Sequence, residues 1–171
     1  MDTTEVKDSR MYSLIVLYDM QTTYFGNVID GISDEDRHNR LNTKANHAAW
    51  LTGSLVQERY ETAKILSPEP ENFHDKQSAY ELFKDHQAIQ ENVKYPPLAD
   101  FLKDWEKITP VLRSALQNVS EEKLESAFEM GGETMKVFDL AIFLAHREAY
   151  CIGQIGILRR LLGYAAMKYP G

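Results

Sequence analysis

Residues 143–163 read "FLAHREAYCIGQIGILRRLLG". Apolar residues recur here every three or four positions, which is helical periodicity, and Gly163 stands where a left-handed cap would end the helix. Arg159 and Arg160 fall in the last turn, where cations complement the helix dipole. A helix this apolar has to bury most of its circumference against other elements. Into the run are set His146, Tyr150 and Gln154 at four-residue intervals, each step bringing the next side chain to within about 40° on the same face. The spacing predicts a polar stripe lining a cavity between helices. A plainer reading of the same residues is that they are amphipathic core side chains whose polar ends meet a neighbour or a water.

Working outward, the same periodicity predicts further long helices. Met11, Leu14, Ile15, Tyr18, Phe25, Val28 and Ile29 form one face of a first helix ending at Gly31. Ser33 then caps a short turn with Asp36 at the capping-box position. A second helix runs through "TKANHAAWLTGSLVQERYETAKIL" and stops at Ser67, before Pro68. The polar, Pro-flanked stretch from Ser67 to Pro97 holds one short helical candidate, "SAYELFKDHQAI", and reads as a long crossover. After Pro97 a third helix carries Leu98, Phe101, Leu102, Trp105, Ile108, Leu112 and Leu116 on one side, with Pro110 inside it. "SEEKLESAFEMGGETMKV" reads as a capped turn and a Gly-Gly loop before the fourth helix, which spans about Val137 to Leu162. The expected fold is all-α: one domain over residues 1–171, a four-helix bundle with a long crossover between the second and third helices.

The 171-residue length suits a single core that needs no disulfides or metals. The net charge of −7 opposes association with phosphate backbones or anionic lipid, so no nucleic-acid or membrane partner is expected. The one cysteine, Cys151, allows no internal disulfide and fits a reducing compartment. The charged start "MDTTEVKDSR" does not resemble a signal peptide, and "MYSLIVLY" is too short to span a bilayer. The expected location is cytoplasmic.

On the second helix, Ser54 and Glu58 lie one turn apart, and Trp50 sits one turn before Ser54. With His146, Tyr150 and Gln154 they are the candidate cavity residues. A glutamate beside Arg59 is equally readable as a solvated surface charge. Phosphate loops, Cys-x-x-Cys pairs, His-Glu-x-x-His patterns and serine elbows do not occur.

The run "HREAYCIGQIGILRRLLG" resembles the fourth-helix signature of the DinB/YfiT-like superfamily, and "NHAAWLTGSLVQERY" its second-helix element, with Asn46, Trp50, Gly53, Leu55 and Arg59 in matching places. "YPPLADFLKDW" is similar to the family's entry to its third helix. The resemblance implies a helical bundle, commonly a homodimer, in which one histidine of the second helix and two of the fourth hold a divalent metal. Here the second-helix position is Ser54 and the second fourth-helix position is Tyr150, so His146 is the one family ligand retained. A single imidazole does not hold zinc or nickel tightly. No cofactor is therefore expected beyond a weakly held zinc or nickel ion. Restoring Ser54→His and Tyr150→His should then create a three-histidine site.

The leading expectation is a DinB-like protein without the usual metal that keeps a small-molecule cavity. Two alternatives stand beside it: a metal- or thiol-dependent transferase or hydrolase of that superfamily, and a non-catalytic homodimeric structural or interaction protein in which Gly153 and Gly156 allow close helix packing.

Overall fold

The computed structural model describes residues 5–169. In chain order these form α1 (Met11–Ile29), α2 (Ala48–Leu66), α3 (Leu98–Asn118), the short α4 (Glu121–Glu125), strands β1 (Ala127–Met130) and β2 (Glu133–Lys136), and α5 (Val137–Leu161). Single 3-10 turns lie at Asp36–His38, Pro70–Asn72, Tyr80–Leu82 and Lys84–His86.

The chain is largely helical, but the expected all-α four-helix bundle is not the architecture it adopts. The segment read as a turn and a Gly-Gly loop forms α4 and an antiparallel hairpin, pairing Ala127 with Lys136 and Met130 with Glu133. Gly131 and Gly132 take φ of +62° and +86°, the two left-handed residues that a two-residue hairpin turn requires. Each strand is four residues long, too short for alternation to stand out beside the flanking helical patterns. The crossover differs as well. Its helical candidate is broken into two 3-10 turns, with Asp85 and His86 at φ of 56° and 54°. α2 starts at Ala48, where His47 takes an extended backbone and its Nδ1 accepts the Trp50 N–H.

α1 and α2 each pack against both α3 and α5. The core is built where they meet: Phe25 stacks on Trp105 with ring centroids 3.8 Å apart, and Met11, Ile15, Leu51, Leu55, Phe101 and Ile108 are buried around them. α2 and α3 run in the same direction, since Gly53 faces Phe101 while Tyr60 bonds Asp104 further along. The crossover must therefore return the full length of a helix, which explains its span. Gly53 is where that crossover crosses α2: a Cβ there would stand 2.2 Å from Phe83 Cζ and 2.8 Å from Phe101 Cε1. α1 and α5 also run in one direction, Gln21 bonding the Ala145 carbonyl and Val28 accepting from Arg159 one end further on. Arg159, read from sequence as a dipole-complementing cation, is buried and ties α5 to the Asn27, Val28 and Ala165 carbonyls.

Candidate functional site

Two charged dipeptides interrupt the apolar faces of α2 and α5: Glu58-Arg59 and, in reversed order, Arg147-Glu148. Neighbouring residues on a helix point about 100° apart, so each dipeptide splays one charge inward and one toward the seam. The inner pair is Arg59 and Glu148, with Nε to Oε1 at 2.6 Å and Nη2 to Oε2 at 2.9 Å. Arg59 Nη1 donates to Thr22 and Thr109 Oγ1, each at 3.0 Å, and its guanidinium lies 3.3 Å from the Trp105 ring centroid. Every part of that cation is thereby bonded or stacked, which is what a buried ion pair needs to be tolerated.

The outer pair is Glu58 and Arg147. Arg147 Nη1 donates to Glu58 Oε2 at 2.6 Å and its Nη2 to Ser54 Oγ at 3.2 Å. Ser54 Oγ in turn donates to the Leu51 carbonyl at 3.2 Å. With Trp50, Gln57, Glu61 and Phe83, these side chains line a recess of about 50 Å³ between α2, α5 and the crossover. Burial pushes the Glu58 carboxyl up to about 7, with Arg147 opposing the shift. Trp50 Nε1 is buried without an acceptor, as is the Gln77 Oε1 without a donor, among the described residues.

Of the residues expected to line a cavity, the structure brings together Trp50, Ser54 and Glu58. Glu58 is no solvated charge, its side chain being 12% exposed. His146 and Tyr150 are corrected: they lie on the outward side of α5, ring centroids 6.5 Å apart, and Tyr150 is 63% exposed. Gln154, half-buried, belongs to neither the recess nor the ion pairs. On α5 it is Arg147 and Glu148 that reach α2, and Cys151, one position past Tyr150, is buried. Burial raises the Cys151 thiol pKa and keeps it protonated.

Sequence reasoning passed over Arg147 and Glu148. The available signal was the pair of oppositely ordered charged dipeptides, each in the middle of an apolar run. The donor set does not fit a tightly held zinc or nickel ion: among the described residues no three His, Cys, Asp or Glu side chains converge. Nor, among them, is any helix long and apolar enough to cross a membrane. No protein-family model and no curated protein matches the chain.

Proposed function

We propose that this protein is a DinB-like small-molecule-binding protein whose site dispenses with the three-histidine metal centre. The observation that carries the reading is Arg147, held between Glu58 and Ser54 at the mouth of the α2–α5 recess and 27% exposed at its side chain. Two acceptors from α2 fix the guanidinium plane, leaving its remaining N–H groups for a ligand. The recess has room for about one or two waters, so a ligand enters it head-first with a carbonyl or carboxylate, its body resting on Trp50. Glu58, titrating near neutrality, can take up or release a proton as that head binds. The protonated, buried thiol of Cys151 weighs against a thiolate mechanism.

Melting temperature in the presence of small carboxylates and their amides tests this, because a ligand of the folded state alone raises it. A rise in the wild type that is smaller in Arg147→Ala supports the reading; no rise with any member, or an equal rise in the variant, overturns it. Metal content of untagged protein, purified without chelating columns, gives a second check. Near-stoichiometric zinc or nickel would overturn the metal-independent reading.

A homodimer is favoured by a separate observation. None of the fully exposed residues of α1 from Tyr12 to Thr23 or of α5 from Ile142 to Ile157 is Asp, Glu, Lys or Arg, and Asp19 at the border of the α1 face is paired with Arg113. Tyr12, Val16, Leu17 and Met20 on α1 and Ile142, Phe143, Tyr150 and Ile157 on α5 are each between 43% and 64% exposed. Together they offer on the order of 800 Å², what a standard interface buries on each partner. At the centre of the α5 face a Cβ on Gly153 would meet nothing, so a partner helix can approach closely there. We infer that a second copy of the chain covers this face. Sedimentation equilibrium should show a dimer that Ile157→Glu converts to a monomer; a monomeric wild type at micromolar concentration overturns it.

A further inference from the structure

The start of α2 and the end of the crossover border a second pocket, open to solvent and of about 420 Å³, apart from the Arg147 recess. His38 and His47 meet in its wall with ring centroids 4.9 Å apart, and Tyr95 lies 5.0 Å from His47. One nitrogen of each imidazole is already engaged. His38 Nε2 accepts the Tyr95 backbone N–H at 3.0 Å, and His47 Nδ1 accepts that of Trp50 at 3.0 Å. A ring nitrogen that accepts carries no proton, so in a neutral ring the proton sits on the other one. Burial lowers the pKa of both rings, that of His47 to about 4, so both are neutral at pH 7.

His38 Nδ1 and His47 Nε2 are consequently N–H donors, and among the described residues neither has a protein acceptor. Neither nitrogen is buried without a partner, so both are open to solvent in the pocket and can donate to an acceptor that enters it. A metal ion does not fit here, because it needs a lone pair on the two nitrogens that carry protons. An acceptor does. The rim adds Arg40, whose Nη1 is 2.7 Å from Glu91, and Lys94, which has no paired acid among the described residues. One positive charge is left over, and the N-terminus of α2 adds its partial charge to the same side.

We propose that this cavity binds a small monoanion bearing a carboxylate, whose oxygens accept from His38 Nδ1–H and His47 Nε2–H while Lys94 balances its charge. The site is independent of the Arg147 recess. The test titrates full-length, ¹⁵N-labelled protein at pH 7.5 with acetate, propionate, benzoate and phenylacetate and follows the imidazole ¹⁵N–¹H resonances. At least one acid should shift His38 Nδ1 and His47 Nε2 saturably. His47→Asn, which keeps a helix-capping side chain but not the ring donor, should weaken that binding at least about tenfold, whereas Arg147→Ala should leave it unchanged. No saturable shift with any of the four acids, a protonated His47 Nδ1, or unaltered affinity in His47→Asn would each overturn the proposal.

Discussion

Arg59 and Glu148 face each other across the α2–α5 seam as a two-bond ion pair, with side chains 1% and 7% exposed. Removing one partner strands the other charge in the core. Glu148→Ala should therefore cost about 3–5 kcal/mol of unfolding free energy, measured by urea denaturation. Arg59→Met combined with Glu148→Leu should recover most of that loss. A Glu148→Ala effect below about 1 kcal/mol would mean that the pair is solvated.

Glu58 sets a pH dependence of the opposite sense to ordinary acid unfolding. Folding raises its pKa from 4.5 to about 7, so the folded state holds the proton more tightly. The stabilisation is fully present below about pH 4.5 and is lost as pH rises through about 7, a difference of roughly 3 kcal/mol. Thermal unfolding between pH 5 and 8 should show this decline in the wild type and a flatter profile in Glu58→Gln. Parallel profiles would place Glu58 in solvent.

His47 works from the other side. Its folded pKa is depressed from 6.5 to about 4, first by burial and then by His38, so its stabilisation is present above pH 6.5 and lost as pH falls through about 4. His47→Asn retains a capping side chain and should lose less stability than the wild type between pH 7 and 4. An identical acid limb in both proteins would rule out the buried neutral ring.

The outward position of Tyr150 changes what a restored metal site requires. Ser54→His with Tyr150→His should gain no nickel- or zinc-dependent rise in melting temperature, because Tyr150 is 63% exposed on the far side of α5. Ser54→His with Arg147→His and Cys151→His should gain one, since Arg147 reaches Ser54 within 3.2 Å and Cys151 lies one turn on. The reverse result would rotate α5 by one residue.

Gly53→Ala should destabilise by about 1–3 kcal/mol through overpacking against Phe83 and Phe101. Phe83→Leu, which vacates the nearer ring position, should recover part of the loss. A neutral Gly53→Ala would show that the crossover is free to move off α2.

Helix positions were legible from the chain because local signals agree there. Pro68 and Pro97 bound the crossover, Gly31 and Gly163 follow α1 and α5 in left-handed backbone, and Ser33 caps the turn at Asp36. The hairpin was not legible, since four-residue strands carry too little alternation and take their pairing from each other. Which side of α5 meets α2 was undecidable from periodicity, because the helix carries apolar residues nearly all the way round, from buried Cys151 and Ile155 to exposed Ile142 and Ile157. Only the tertiary structure settles it. The bonds from Arg147 to Ser54 and Glu58, and from Glu148 to Arg59, fix the rotation of α5 and put His146 and Tyr150 outside, one residue from where spacing had placed the site. Local sequence determines where a helix begins and ends; the partners of its buried charges determine which way it faces.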